Sequence, residues 1–443
     1  MTDDTPSSGS LPGRQRVYVK TFGCAHNSSD SEVMMGLLKD YGYTLAMGLE
    51  DCDAMVVNSC TVKSPSQDTA VNLVKKAQKE GKPVVLAGCV PSADAAVGQA
   101  LQGVSLLSVT QIDRVVEVVE QALQGNTVQL LGQRRTMPSL DLPKVRRNSL
   151  IEIIPISGGC LGNCAYCKTK HARGKLSSYR EDVIVNRALK AASEGVREVW
   201  LASEDTGAYG LDIGTNIANL LNAVADALLP QGVMLKLGMT NPPYMLAHID
   251  AVAEVLRKPN VYEFIHIPVQ SGSDPVLKSM VREYTSGDFR RLADGLRAKV
   301  PGLLVATDII CGFPSESEED WQETMELCRK YRFQGIHISQ FYARPGTPAA
   351  NMKPLKSYVG KNRYRELADF VTSYDRNEGL LGRELRVWFA DTEADHGQTV
   401  GRTKAFAKVI VPRDDSLLGR SAMVKILATN RLHVEGQVLG EAA

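Results

Sequence analysis

No stretch of the chain approaches the ~18 consecutive apolar residues needed to span a bilayer. The opening segment, MTDDTPSSGSLP, is acidic and lacks the apolar core of a secretory leader. Membrane-spanning and exported classes are therefore set aside, and a cytoplasmic protein without a membrane span is expected. An excess of charge is also missing: 51 Lys and Arg face 50 Asp and Glu, a formal net charge of +1. The chain as a whole does not advertise a polyanionic partner, so any nucleic-acid surface must be local. Internal repeats are absent, as is low complexity beyond the N-terminal tail. An even cysteine count is missing too. Nine cysteines without an export signal fit a disulfide framework poorly, because reducing compartments leave thiols available for metals or catalysis.

What is present, over 443 residues, is enough chain for two or three hydrophobic cores. Residues 1–15 read as a disordered tail. Across 16–131 the β-branched runs RVYVKTF, DAMVVNS, PVVLAG and VSLLSV alternate with helical stretches, which predicts a doubly wound parallel α/β unit. Residues 132–149, containing Pro and Arg, have no periodicity and read as a linker. Over 150–378 the runs LIEIIPIS, REVWLAS, MLKLGM, YEFIHIPV, LLVATDII and GIHISQFYA predict six βα units in an open or partial barrel. Residues 379–443 read as short strands with glycine at turns, a small all-β barrel.

The cysteines carry the chemistry. Cys160, Cys164 and Cys167 lie in SGGCLGNCAYCKTKHARG, a Gly-rich loop after the first strand of the central region. Three thiolates so close in sequence can converge on one metal centre, with glycines letting the backbone wrap it. A zinc ribbon would need a fourth ligand, for which His171 is the only nearby candidate. The CxxxCxxC spacing, with Tyr166 before the last cysteine, resembles the radical-SAM superfamily motif. There, three cysteines hold a four-iron cluster whose remaining iron is open to S-adenosylmethionine. Cys24, Cys60 and Cys89 each sit just past the carboxyl end of a different candidate strand, where an open α/β sheet binds ligands. Simple packing is the alternative for each of these thiols. Cys52 and Cys328 read as packing residues, and Cys311, at the end of LLVATDII, is expected to face the barrel mouth.

The succession TFGCAHNSSDSE, VVNSCTVK, AGCVP and GGCLGNCAYCKTKHARG, followed by a small β-barrel, resembles the methylthiotransferase family of radical-SAM enzymes. The segments SEDTGAYGLDIGTN, LGMTNPPY, HIPVQSGS, TDIICGFP and QFYARPGTPAA resemble its archaeal and eukaryotic branch. The resemblance implies two [4Fe-4S] clusters, on Cys24, Cys60 and Cys89 and on Cys160, Cys164 and Cys167. It also implies S-adenosylmethionine as cofactor and, as substrate, tRNA carrying N6-threonylcarbamoyladenosine beside the anticodon. A radical generated at the central cluster would remove the hydrogen from C2 of the adenine, and sulfur would come from the open iron of the other cluster. A second S-adenosylmethionine would supply the methyl group. The C-terminal barrel resembles a TRAM domain, an OB-like RNA-binding module.

Barrel enzymes place their working groups on loops at the carboxyl ends of the strands. Glu204, Asp205 and Thr206 are the candidates for the methionine amine, and Tyr166 is a stacking face for the adenine. Thr240, Gln270, Asp308 and Arg344 are further candidate contacts, the last three toward the ribose or carboxylate. For RNA, Lys168, Lys170, Arg173 and Lys175 follow the cluster loop, while Arg134, Arg135, Lys144, Arg146 and Arg147 fill the linker. In the C-terminal barrel Arg383, Arg386, Arg402, Lys404 and Lys408 are the candidates for an RNA-facing cluster. An electron donor and a monomeric state complete the expectation. The rivals are a methylthiotransferase acting on another modified adenosine or on a protein aspartate, and a non-catalytic iron-sulfur RNA-binding or sensor protein.

Overall fold

The structure, a computed structural model, describes residues 14–61, 64–94, 100–132, 136–391 and 397–440. It divides into two compact units: Met1–Arg147 with Lys168–Lys175, and Asn148–Cys167 with Leu176–Ala443.

The first unit runs β1 (Arg16–Thr21), α1 (Ala25–Tyr41), β2 (Thr44–Leu45), β3 (Ala54–Ser59), α2 (Ser64–Lys79), β4 (Val84–Gly88), α3 (Cys89–Ala93), β5 (Ser105–Ser108), α4 (Val115–Leu123) and β6 (Gln129–Leu130). A short helix, α5 (Thr169–Arg173), joins it from later in the chain. Every strand pair is parallel and the order is β2-β1-β3-β4-β5-β6. Helices cover both faces, which is why β3 and β4 are buried along their whole length and read as apolar runs. Successive residues of β3 feed opposite layers. Val56 packs with Met34 and Val118, whereas Met55 and Val57 pack with Val74 and Leu106. The strand order reverses at β1, which has β2 on one side and β3 on the other. Ligands of open α/β sheets bind at the carboxyl ends beside such a reversal. Of the stretch expected to be a linker, residues 133–135 lie outside the described residues, Arg134 and Arg135 among them. Its distal end is tied down: Val145 N donates to Glu32 O (2.9 Å) and Lys144 Nζ to Ser29 Oγ (2.9 Å).

The second unit contains β7 (Ile151–Pro155), the short antiparallel pair β8 (Ser157–Gly158) and β9 (Ser177–Ser178), then α6 (Glu181–Ser193), β10 (Glu198–Ala202), α7 (Ile217–Leu228), β11 (Met234–Leu237), α8 (Ile249–Leu256) and β12 (Phe264–His266). It continues with α9 (Ser286–Lys299), β13 (Leu304–Cys311), α10 (Glu318–Tyr331), β14 (Gly335–Gln340) and α11 (Ser357–Thr372). Helices α9 and α10 open on capping boxes, Thr285 with Asp288 and Ser317 with Asp320. Strands β7, β10 and β11 form one parallel run, and β12, β13 and β14 another. Bridges Leu235↔Val261 and Met239↔His266 join the two, giving the expected six-strand partial barrel. Its helix-facing side buries Val199, Leu201 and Ile309, together with the Glu152–Arg187 ion pair (2.9 Å) beneath α6. Cys311 also lies on this side, fully buried and near Cys328 of α10. It does not face the mouth, because its neighbour Ile310 takes the inward position of the strand alternation.

The chain ends in a closed antiparallel and parallel barrel, in the order β15 (Glu384–Asp391), β16 (Gln398–Thr403), β17 (Lys408–Pro412), β19 (Val434–Val438) and β18 (Ser421–Thr429). Val387, Phe389, Val409, Val424 and Ile426 fill it. Among the described residues no helix is long and apolar enough to cross a membrane.

Candidate active site

In the first unit the carboxyl ends of β1, β3 and β4 bring Cys24, Cys60 and Cys89 around one side chain, Asn27. The Asn27 amide donates to Phe22 O and Ser59 O, both at 3.0 Å. That fixes its carbonyl toward the thiols, and the Sγ atoms of Cys24 and Cys89 each lie 3.8 Å from Oδ1. Cys60 closes the group against Gly23, whose φ is +116°; a side chain there would begin 2.9 Å from the Cys60 sulfur. Gly88, at φ +94°, is similarly obligatory: a Cβ would sit 2.3 Å from Asn58 Oδ1. Cys60 and Cys89 are buried, and Cys24 is exposed. Burial pushes the Cys89 thiol up to about 12, opposed chiefly by the charge of Arg173.

Arg173 comes from α5. Its Nη2 donates to Asn27 Oδ1 (3.0 Å) and to Asp30 Oδ2 (2.5 Å), with both charged side chains almost fully buried. Lys168, at the start of the same segment, pairs with Asp94 at 3.0 Å and is likewise buried. Two of the four basic residues expected to meet phosphates therefore serve the interior of this unit. Lys175 remains exposed and Lys170 half-buried. The sequence also gave no direct pointer to Asn27, although α1 carries an indirect one. His26, Asn27, Ser29, Asp30, Ser31 and Glu32 are all buried, a polar set that packing alone does not favour.

In the second unit Cys160, Cys164 and Cys167 are half-buried on the loop after β8. A side chain on Gly162 would lie 3.7 Å from the Cys164 sulfur and 3.8 Å from that of Cys160, so the loop curls around its own thiols. Arg282 donates from Nη1 to Cys164 Sγ (3.0 Å), from Nε to Tyr284 Oη (3.0 Å) and from Nη2 to Asn241 Oδ1. Asn241 Nδ2 in turn donates to Asp205 Oδ2 (2.7 Å). Asp205 accepts further bonds from Gly207 N (3.1 Å) and Asn241 N (3.0 Å), yet burial still pushes it up to about 6. Burial also pushes Cys160 up to about 12, and nearby Asp205 adds to the effect. Arg282 is the residue that sequence reading missed: nothing in SMVREYT marks it, because Cys164 and Asn241 lie on two other segments, 118 and 41 residues away.

The remaining candidates are distributed as follows. Tyr166 packs edge-on to Phe313 (6.4 Å between centroids) in an apolar group with Val276 and Met280. Glu204 is half-buried beside Asp205, and Thr206 is buried with Oγ1 donating to Met239 O (3.0 Å). Thr240 is fully buried, and its hydroxyl has no hydrogen-bond partner among the described residues. Gln270 holds φ +69° at the rim, its N–H donating to Asp308 O (2.8 Å). Arg344 is half-buried and its carbonyl accepts from Thr347 Oγ1 (2.8 Å). Asp308 hydrogen-bonds His266 Nε2 at 2.8 Å.

The basic residues of the small barrel divide in two. Arg383 and Arg386 are exposed and Lys408 half-buried. Arg402 instead lies over the Phe406 ring (4.8 Å), and Lys404 Nζ donates to the carbonyls of Leu256 (3.2 Å), Lys258 (2.7 Å) and Val261. Lys404 thereby anchors the β16–β17 turn to the wide barrel, while Arg402 packs within the turn itself.

The donor chemistry fits iron-sulfur clusters better than single ions. Neither cysteine set brings its three sulfurs within 4.8 Å of one another, as ligands of one ion would be; among the described residues only His266, Asp308 and His337 do so. A four-iron cube takes each thiolate on a different iron and tolerates the wider spread.

Residues 16–107 match the family described as Uncharacterized protein family UPF0004, and residues 154–328 match the Radical SAM superfamily. The chain is 47% identical to the threonylcarbamoyladenosine tRNA methylthiotransferase of Homo sapiens, over 99% of this chain and 76% of that protein. It is 47% identical to the protein of that name from Xenopus laevis, over 98% and 79%. A probable threonylcarbamoyladenosine tRNA methylthiotransferase from Pyrococcus abyssi is 34% identical over 96% and 99%. Among solved structures, the radical S-adenosylmethionine methyltransferase TsrM of Kitasatospora setae shares the fold, with a TM-score of 0.55, 15% identity and coverage of 76% and 75%.

Proposed function

The chain belongs to the threonylcarbamoyladenosine tRNA methylthiotransferase family, and from that membership we propose that it places a methylthio group on C2 of N6-threonylcarbamoyladenosine beside the anticodon of tRNA. The observation that carries this reading is the pair of three-thiol sets, one at the carboxyl ends of three parallel strands and the other on the single loop after β8, each one ligand short of saturating a four-iron cluster. Cys24, Cys60 and Cys89 would hold one cluster, and Cys160, Cys164 and Cys167 the other. When bound, the second cluster supplies the electron that splits S-adenosylmethionine and the first supplies the sulfur.

The chain's own residues position and insulate. Asn27 and Arg173 orient and charge-balance the first thiol set, and Arg282 does the same at Cys164. Asp205 and Asn241 form a rim that faces the methionine end of the cofactor. Glu204, Thr206, Thr240 and Arg344 complete the cofactor contacts, and Tyr166 backs the cysteine loop. Lys170, Lys175, Arg383, Arg386 and Lys408 are the basic side chains left to meet phosphates. A one-electron donor is required, and the chain works as a cytoplasmic monomer.

The test is anaerobic turnover of the reconstituted protein with tRNA carrying N6-threonylcarbamoyladenosine, followed by nucleoside analysis. The 2-methylthio derivative of that nucleoside is the expected product. Product on a different adenosine, or deoxyadenosine without any methylthio nucleoside, would redirect the substrate assignment. No cofactor cleavage at all would leave the sensor reading ahead.

A further inference from the structure

The face of the partial barrel turned away from its helices is not lined as such interiors usually are, by branched apolar side chains. At its floor Trp200, Phe264 and Phe406 surround the ammonium of Lys236, which lies 4.2, 5.3 and 4.7 Å from their ring centres. One step further toward the carboxyl ends, on the same face, stand His266 of β12, Asp308 of β13 and His337 of β14. One ligand atom from each lies within 4.8 Å of the others. His266 and Asp308 keep 20% and 31% of their side chains accessible, and His337 is exposed, so the trio borders open space. Packing does not require three ionisable groups here. On the opposite face, by contrast, the ionisable group is Glu152, which Arg187 neutralises.

We propose that His266, Asp308 and His337 form the wall that receives the N6 substituent of the substrate base, pairing with its free carboxylate and hydroxyl. The inference rests on the substrate assignment made above and names the residues that read it. A threonylcarbamoyl group ends in one carboxylate and one hydroxyl. Two imidazoles offer N–H donors to the carboxylate, and Asp308 offers an acceptor to the hydroxyl or the urea N–H. The 2.8 Å bond from Asp308 to His266 Nε2 fixes that imidazole before the substrate arrives. A site built to hydrogen-bond a polar group rejects an analogue that lacks it, because its own donors are then left unpaired.

The experiment uses the reconstituted full chain and two anticodon stem-loop RNAs. One carries N6-threonylcarbamoyladenosine; the other carries the same nucleoside with the threonine carboxylate replaced by its neutral carboxamide. The parent protein is expected to prefer the carboxylate RNA by roughly 10- to 100-fold in kcat/KM. His337→Ala is expected to lose most of that preference, acting on the carboxamide RNA about as the parent does. Deoxyadenosine formation without RNA should stay at the parent rate. His266→Ala should behave alike, and equilibrium competition between the two RNAs should show the same collapse without turnover. An unchanged preference in both variants would overturn the proposal, as would equal loss on both RNAs, which is the mark of a structural role. A stoichiometric zinc or manganese ion that leaves with His337→Ala would overturn it in favour of a metal site. A parent that methylthiolates neither RNA would overturn the substrate assignment and this inference with it; a parent active on both without preference would overturn the inference alone.

Discussion

Asn27 is held by two donated bonds and by a third through its own carbonyl, since Asn58 Nδ2 donates to Asn27 O at 2.8 Å. Its Oδ1 thereby becomes a fixed acceptor shared by two thiols and the Arg173 guanidinium. Arg173→Met removes the buried cation and leaves Asp30 with His26 Nε2 at 3.9 Å as its remaining basic neighbour, a change that costs ~3–5 kcal/mol when a buried pair is broken. Asn27→Ala frees the thiols at a smaller cost, roughly 1–3 kcal/mol for the donors and acceptors left unsatisfied. Both variants are expected to take up about half the iron of the parent, while deoxyadenosine formation continues. Iron and acid-labile sulfide analysis of the folded variants checks this, and undiminished iron in both would refute the positioning role. The cysteines were legible in sequence because thiols recur at strand ends. Arg173 was misassigned because a basic run shows its charge but not its partner: Asp30 lies 143 residues earlier in the chain.

At the scale of single elements, the β16–β17 turn shows how the small barrel is tied to the wide one. Phe406 adopts φ +62° and packs on Tyr262 (4.9 Å), Phe264 (5.1 Å) and Trp200 (6.1 Å). Beneath it Lys236 is half-buried near Glu198, and the desolvation that remains lowers its pKa to about 8. A lysine whose folded pKa falls below its unfolded value carries a penalty that is complete below the folded pKa and fades as pH rises. The parent should therefore gain stability between pH ~8 and ~10.4, by at most about 3 kcal/mol. Lys236→Met should lack that rise. Urea midpoints of the two proteins across this range measure the difference; parallel profiles would show that Lys236 stays charged on its aromatic seat at every pH. The strands themselves were readable from their period-two and continuous apolar runs. The inward placement of Arg402 and Lys404 was not, since the charge pattern of a strand does not tell which face meets a neighbouring barrel.

Across the whole molecule the chain is not partitioned as a simple string of domains. It leaves the first unit after Arg147, gives Cys160, Cys164 and Cys167 to the second, and returns Lys168–Lys175 to the first. The last cysteine of one thiol set is thus the direct neighbour in sequence of the segment that supplies Arg173 to the other. The separate roles of the two sets are the central claim of this account. Replacing Cys24, Cys60 and Cys89 together with alanine tests it most directly. The folded, reconstituted variant should still convert S-adenosylmethionine to 5′-deoxyadenosine when reduced, and should form no methylthiolated nucleoside on N6-threonylcarbamoyladenosine tRNA. Methylthio product at the parent level would contradict the account, and proportional loss of both products would show that these thiols serve only to hold the first unit together.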